Sequence, residues 1–240
     1  MTFEEYRTEH FSRLQNQILF ICWVGTILTF IMEVLIFFIN LKCGYITDTV
    51  VFYVLIRVLL PTMLNISTCL ICTYFLHNPK YSEKIRNYVT SFSTLSCCTT
   101  IACVHCYYSF LLFSLMIPVF LSIVFCSKRL VHIISVGSLC STILASIIYY
   151  FEYQEYGVSH RLMSIFCLWT LIGVSFVIAR TLVISQEKQI VYMSENCMRQ
   201  LQLMEELKIE PMTGLYNKTC LETCQISYFN KFKMGIFNPT

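Results

Sequence analysis

The sequence predicts an all-α membrane protein, with six transmembrane helices followed by a cytoplasmic helical rod. Three observations carry that prediction. Charged residues are 13% of the 240 and hydrophobic residues 56%, and the mean hydropathy is +0.64. A soluble domain carries about 25% charged residues. The apolar residues are gathered into runs close to the roughly 20 residues that a 30 Å hydrocarbon core requires. Lysine and arginine concentrate in one set of the intervening loops. Together these features exclude a soluble globular enzyme as the bulk of the chain, a disordered chain and a collagen-like repeat. The net charge is only +3, with no basic stripe, which argues against nucleic acid as a partner.

Residues 1–17 read as a cytoplasmic N-terminus. The first run follows acidic Glu4, Glu5 and Glu9 and lacks a small-residue cleavage pattern, so it is not a signal peptide. The six runs are Ile18–Ile39, Val50–Leu76, Val89–Cys106, Ser109–Cys126, Leu130–Phe151 and Leu162–Ile184. Together they make residues 18–184 a membrane sensor domain. The third and fourth are rich in Ser, Thr and Cys, with only His105, Tyr107 and Tyr108 near the turn between them. Charge parity decides how they run. Lys80, Lys84 and Arg86 precede this region, and Lys128 and Arg129 follow it. Both loops should be cytoplasmic, so the chain crosses an even number of times between them. Two short helices satisfy that; a single re-entrant segment is the alternative. Over the whole chain, Arg7, Arg13, Lys80, Lys84, Arg86, Lys128, Arg129 and Lys188 lie on one side. Only Lys42 and Arg161 lie on the other, beside Asp48, Glu152 and Glu155. This places the protein in the cell membrane as a multi-pass chain with both termini cytoplasmic.

Two charges fall inside spans. Glu33 is six residues before the outer end of the first span, and Arg57 is seven after the outer start of the second. At 1.5 Å per residue both lie roughly 10 Å below the outer boundary. The pattern predicts an intramembrane ion pair between them. Such a pair is either a ligand or proton site or a lock between two helices. Arg180, near the inner end of the sixth span, can snorkel to the headgroups. Pro61 and Pro118 sit mid-span and should kink their helices, with Asn65 placed to bond carbonyls that the first kink frees. The 14 cysteines fall mostly in apolar runs, where cysteine behaves as a small hydrophobe. The CxxC spacings Cys69–Cys72 and Cys103–Cys106 read as packing rather than as a metal or redox site.

The composition changes at Ser185. Residues 185–210 hold many charges and no Gly or Pro, and apolar residues recur at Val183, Ile190, Cys197, Leu201 and Met204. That is an approximate heptad seam, interrupted by Glu187 and Ser194, and predicts a coiled-coil-like signalling helix that dimerises. An amphipathic helix lying on the membrane is the alternative. Pro211 ends the rod.

The chain then reads Glu210-Pro-Met-Thr-Gly-Leu-Tyr-Asn-Lys218. With Thr213, Gly214, Leu215 and Asn217 in register, this resembles the D-x-L-T-G-L-x-N-R pattern that opens the catalytic domain of membrane-bound diguanylate cyclases of the GGDEF class. Glu210, Met212 and Lys218 stand as mild replacements. The resemblance implies a multi-span sensor joined through a signalling helix to an α/β domain, which as a homodimer condenses GTP with Mg²⁺ or Mn²⁺ into cyclic di-GMP. Residues 211–240 are expected to be only the start of that domain, because 30 residues cannot bury a core. The family's metal-binding aspartates and GTP-holding turn do not occur in them. The chain is expected to be a fragment, a frameshift or an early end of the frame. It is expected to lack catalytic, cofactor-binding and metal residues and to be inactive as a cyclase. The partners expected are the lipid bilayer, a second copy of the chain and an unknown small-molecule signal. The competing reading is a small transporter or channel lined by Glu33, Arg57, Asn65 and the two prolines.

Overall fold

The computed structural model describes residues 3–44, 49–105, 109–152 and 158–206. Among these, the ordered elements are all helical. In chain order they are α1 (Phe3–Cys43), α2 (Val50–Tyr53), a π-helical segment (Val54–Leu59), α3 (Leu60–His77), α4 (Glu83–Val104), a 3₁₀ segment (Ser109–Met116), α5 (Ile117–Ile123), α6 (Lys128–Glu152) and α7 (Val158–Glu206). The chain divides into two compact units, Met1–Glu187 and Lys188–Thr240.

Each boundary has a local cause. Gly44 stops α1 with φ of +70°, a left-handed position that glycine adopts without penalty. Ser82 caps α4 by accepting a hydrogen bond from the Ile85 amide at 3.5 Å, and Glu83 adds a negative charge to its first turn. Ser127 accepts from the Leu130 amide in the same way at the start of α6. The two mid-span prolines act differently from plain kinks. Pro61 and Pro118 each stand in the first turn of an α-helix, one after the π segment and one after the 3₁₀ segment. A proline lacks the N–H that an interior helical residue donates, but the first turn has no use for that donor. The irregular windings therefore sit on the N-terminal side of each proline.

Four stretches are long and apolar enough to cross a membrane: Thr8–Cys43, Val50–His77, Lys128–Phe151 and Arg161–Leu203. A shorter apolar stretch runs from Phe110 to Ile123. Large apolar side chains on these helices are exposed outward, among them Phe20, Ile21, Val51, Met63, Ile71, Phe166 and Val177. Helix α4 packs against α1, α3, α5, α6 and the 3₁₀ segment. Its buried residues are mostly small and polar: Asn87, Thr90, Ser91, Ser93, Thr94, Cys97, Cys98 and Ala102. Small residues let backbones approach closely, and the hydroxyls bond across or back to carbonyls. Thr99, for instance, donates to Ser141 on α6 at 2.8 Å. Ser138, fully buried, donates to the Leu115 carbonyl of the 3₁₀ segment at 2.6 Å.

Two larger apolar clusters complete the core of this unit. One joins Cys98, Ala102, Leu112, Leu115, Ala145, Tyr149, Leu168 and Ile172. The other joins Ile18, Cys22, Cys69, Leu95, Cys97, Phe125, Leu130 and Ile134. In the second unit, Val191, Tyr192, Met193, Met198, Leu201 and Leu203 are exposed.

Candidate functional site

The most concentrated buried polarity lies where α1, α3 and α4 meet. Three contacts join α1 to α4 at one constant register. Gln15 Nε2 donates to Asn87 Oδ1 at 2.5 Å, Cys22 Sγ and Thr94 Oγ1 are 3.6 Å apart, and Glu33 Oε1 lies 3.4 Å from His105 Nε2. Each pair is separated by 72 residues in sequence. A constant difference, rather than a constant sum, means the two helices run parallel.

Glu33 anchors one end of this seam. It is 3% exposed, so its charge requires nearby partners. Thr62 donates its hydroxyl to Oε2 at 3.0 Å, and His105 reaches Oε1. The Thr62 hydroxyl also lies 2.7 Å from the Val58 carbonyl, one turn back. The single hydroxyl proton serves one of these two acceptors at a time, so Thr62 is shared between Glu33 and its own helix. Asn65 is 2% exposed, and its Oδ1 has no hydrogen-bond partner among the described residues.

Glu33 and Arg57, expected to pair, each reach the end of α4. Arg57 NH1 donates to the Val104 carbonyl at 2.8 Å, and Glu33–Arg57 is not among the ion pairs of the described residues. The physical reason is the end of α4. Its last carbonyls lack helical donors and carry the negative end of the helix dipole. They take the guanidinium, and the adjacent His105 takes the carboxylate. Glu33 and Arg57 thus each contact the end of α4, one at residue 105 and the other at residue 104. The π segment bears on this placement, since Arg57 lies within it, and a wider winding shifts where its side chains leave the axis.

In the sequence, His105 stands out as a residue near a turn and as the histidine inside the Cys103–Cys106 spacing, not as a partner of Glu33. Depth was the signal that would have found it. The parity argument already makes the first and third spans parallel, and both Glu33 and His105 fall near their outer ends. A second guanidinium follows the same rule as Arg57. Arg161 is 7% exposed and donates to the Tyr150 carbonyl at 2.6 Å, in the last turn of α6.

Glu187, which interrupts the heptad seam, also has a local partner. Its Oε2 is 2.5 Å from Lys128 Nζ, and its Oε1 accepts from the Lys128 amide at 3.4 Å. The carboxylate thus meets the first residue of α6, where helix N–H groups are unpaired. Cys69 and Cys72 are buried in the bundle, and no group of three or more His, Cys, Asp or Glu fit to hold a metal occurs among the described residues. Cys106 and the motif residues Thr213, Gly214, Leu215 and Asn217 lie outside the described residues. Comparison with known proteins adds no relative: no family profile matches the chain, nor does any curated protein or solved structure.

Proposed function

We propose that residues 18–184 form a six-crossing membrane bundle with both termini cytoplasmic, serving as the input region of a diguanylate cyclase of the GGDEF class. The observation that carries the six crossings is the α1–α4 register. The paired stretch from Gln15 to Glu33 is 18 residues, or about 27 Å of helix, close to a full hydrocarbon core. A helix in register with a spanning helix over that length crosses with it. The 3₁₀ segment and α5 have 8 and 7 residues. At about 2.0 and 1.5 Å per residue they cover roughly 26 Å, because 3₁₀ winding lengthens the rise. The parallel sense of α1 and α4 agrees with the parity of the basic loops.

The link to cyclic di-GMP rests on Thr213, Gly214, Leu215 and Asn217 following a heptad segment. What supports a transmitting role is that one helix, α7, runs unbroken from Val158 to Glu206. Exposed Leu201 and Cys197, together with Ile190, lie on its seam, and we assign that seam to a second copy of the chain. The buried Glu33 favours the competing transporter reading, since intramembrane carboxylates line ion paths.

A chimera separates the two. Residues 1–210 fused to an intact catalytic domain of this class should give cyclic di-GMP in cells. Two residues inserted after Gln189 rotate the seam by about 200° and should change that output several-fold. Equal output with and without the insertion would remove the signalling role of the helix.

A further inference from the structure

We propose that the turn between α5 and α6 is a clasp on one stripe of α7, and that this clasp sets how far toward the membrane the paired helices of two copies can zip. The stripe is defined by burial. Leu168, Ile172, Ser175, Ala179 and Val183 are each no more than 2% exposed, at spacings of three and four, so one face of α7 packs on the bundle. Ala179 and Val183 meet Val119 and Ile123 of α5 and Val131 of α6 there. At about 100° per residue, Ile190 lies only about 20° round the helix from Val183, and Leu201 falls in line with it. The heptad seam is therefore this same stripe, continued along one unbroken helix.

The bundle's hold on the stripe ends at Glu187. Cys126 Sγ donates to Gln186 Oε1 at 3.4 Å. The Glu187 carboxylate meets Lys128 twice, at Nζ and at the backbone amide. The first compact unit of the chain closes at this same residue. The turn is shaped for the contact. Cys126 has φ of +50°, a conformation that a residue other than glycine keeps only where its surroundings hold it. Its amide bonds back to the Ile123 carbonyl at 2.9 Å.

One helix face cannot serve two partners at once. A coiled coil that closes on Ile190 and runs on toward the membrane must next place Glu187 and Val183 in its seam. Both are engaged already, one by Lys128 and the other by the apolar cluster. Glu187 is a defect for the coil and a partner for the bundle, so one carboxylate both disfavours zipping and favours the clasp. The clasp is light: the Lys128 and Glu187 side chains are 56% and 31% exposed, and an ion pair so open to water is weak. A small movement of α5 or α6 is enough to open it. Taken with the input-region reading above and its seam for a second copy, on which this step rests, opening the clasp is how the bundle's signal enters α7.

The test measures cross-links between copies of the full chain in lipid nanodiscs. A photo-reactive benzophenone amino acid stands in place of Cys197 or of Ile190, and covalent dimers are counted under reducing conditions. The natural chain should cross-link well from position 197 and weakly from position 190. Lys128→Glu sets a like charge against Glu187 and should raise cross-linking from position 190 about two- to fivefold, the range for losing an exposed ion pair. Position 197 should change little. The reversed pair, Lys128→Glu with Glu187→Lys, should restore the natural level. If Lys128→Glu does not fold, Lys128→Gln is read instead and must shift position 190 in the same direction. Cross-linking from position 190 that is the same with and without the clasp, or that the reversed pair does not restore, overturns the clasp while position 197 still reports the seam. No cross-link from position 197 in any chain overturns the seam itself, and zipping with it.

Discussion

Helices α1 and α4 lie side by side, parallel and in one register from Gln15–Asn87 to Glu33–His105, yet they are built from different residues. Large apolar side chains project outward all along α1, including Phe20, Ile27, Leu28, Ile31 and Leu35. On α4 the only large apolar side chains exposed are Ile85 and Phe92, and most of the rest is Ser, Thr, Cys and Asn packed against other helices. Hydropathy measures what a helix shows to its surroundings. A helix coated by its neighbours has no need of leucine on every face, and small polar residues pack it more closely. That is why α1 is among the four stretches apolar enough to cross a membrane and α4 is not.

The comparison breaks most sharply on topology. Reporter fusions at Asp48, Glu83 and Glu155 should report outside, inside and outside. An inside signal at Glu155 would mean an odd number of crossings between the two basic loops, and would break the parity on which the parallel sense of α1 and α4 as spans rests. An all-or-none result of that kind has the largest effect of any test here.

Packing gives the next largest effect. Ala102 on α4 is 0% exposed, whereas Phe20 on α1 is 68% exposed. Ala102→Leu should destabilise the chain by about 1–3 kcal/mol through overpacking, whereas Phe20→Leu should stay within about 0.5 kcal/mol. Thermal denaturation in detergent measures both. Equal losses would mean that α4 is no more enclosed than α1.

The polar seam itself is tested at its far end. Asn87→Leu leaves the Gln15 amide without its acceptor, a loss of about 1–3 kcal/mol. Changing both Gln15 and Asn87 to Leu should recover most of it. A double-mutant cycle with coupling under about 0.5 kcal/mol would show that the two side chains act independently.

The sequence made the apolar spans readable because lipid contact and hydropathy are the same property. The second and fifth spans match Val50–His77 and α6 almost residue for residue, the sixth falls inside the much longer α7, and α1 extends beyond its predicted span at both ends. Buried charge was also readable: Glu33 is enclosed, as an intramembrane carboxylate must be. Its partner was not. Which group meets Glu33 depends on helix register and on which group takes the open carbonyls ending α4, and neither is written in local composition. Pro61 and Pro118 were recognisable as breaks, but whether a break is a kink, a π segment or a 3₁₀ segment depends on the packing around it. Glu187 looked like a flaw in a heptad because its partner, Lys128, lies on another helix.

The smallest expected effect concerns how closely α4 and α6 approach. A Cβ placed on Gly137 of α6 would lie 2.7 Å from Leu95 Cδ2 of α4, which is inside van der Waals contact, so something must move. The atom in the way is the tip of a flexible side chain rather than backbone, which makes the adjustment cheap. Alanine also favours a helix interior over glycine by up to about 1 kcal/mol. The two effects oppose each other, and Gly137→Ala should change stability by less than about 1 kcal/mol. Leu95→Ala clears the space at the cost of a buried side chain. In that background only the helix preference remains, so Gly137→Ala should become stabilising. The change of sign between the two backgrounds is the measurement that matters. If Gly137→Ala has the same effect with Leu95 and with Ala at position 95, then the two helices stand further apart here than a leucine tip requires. The view of α4 as the closely coated helix of the pair would then lose its local support.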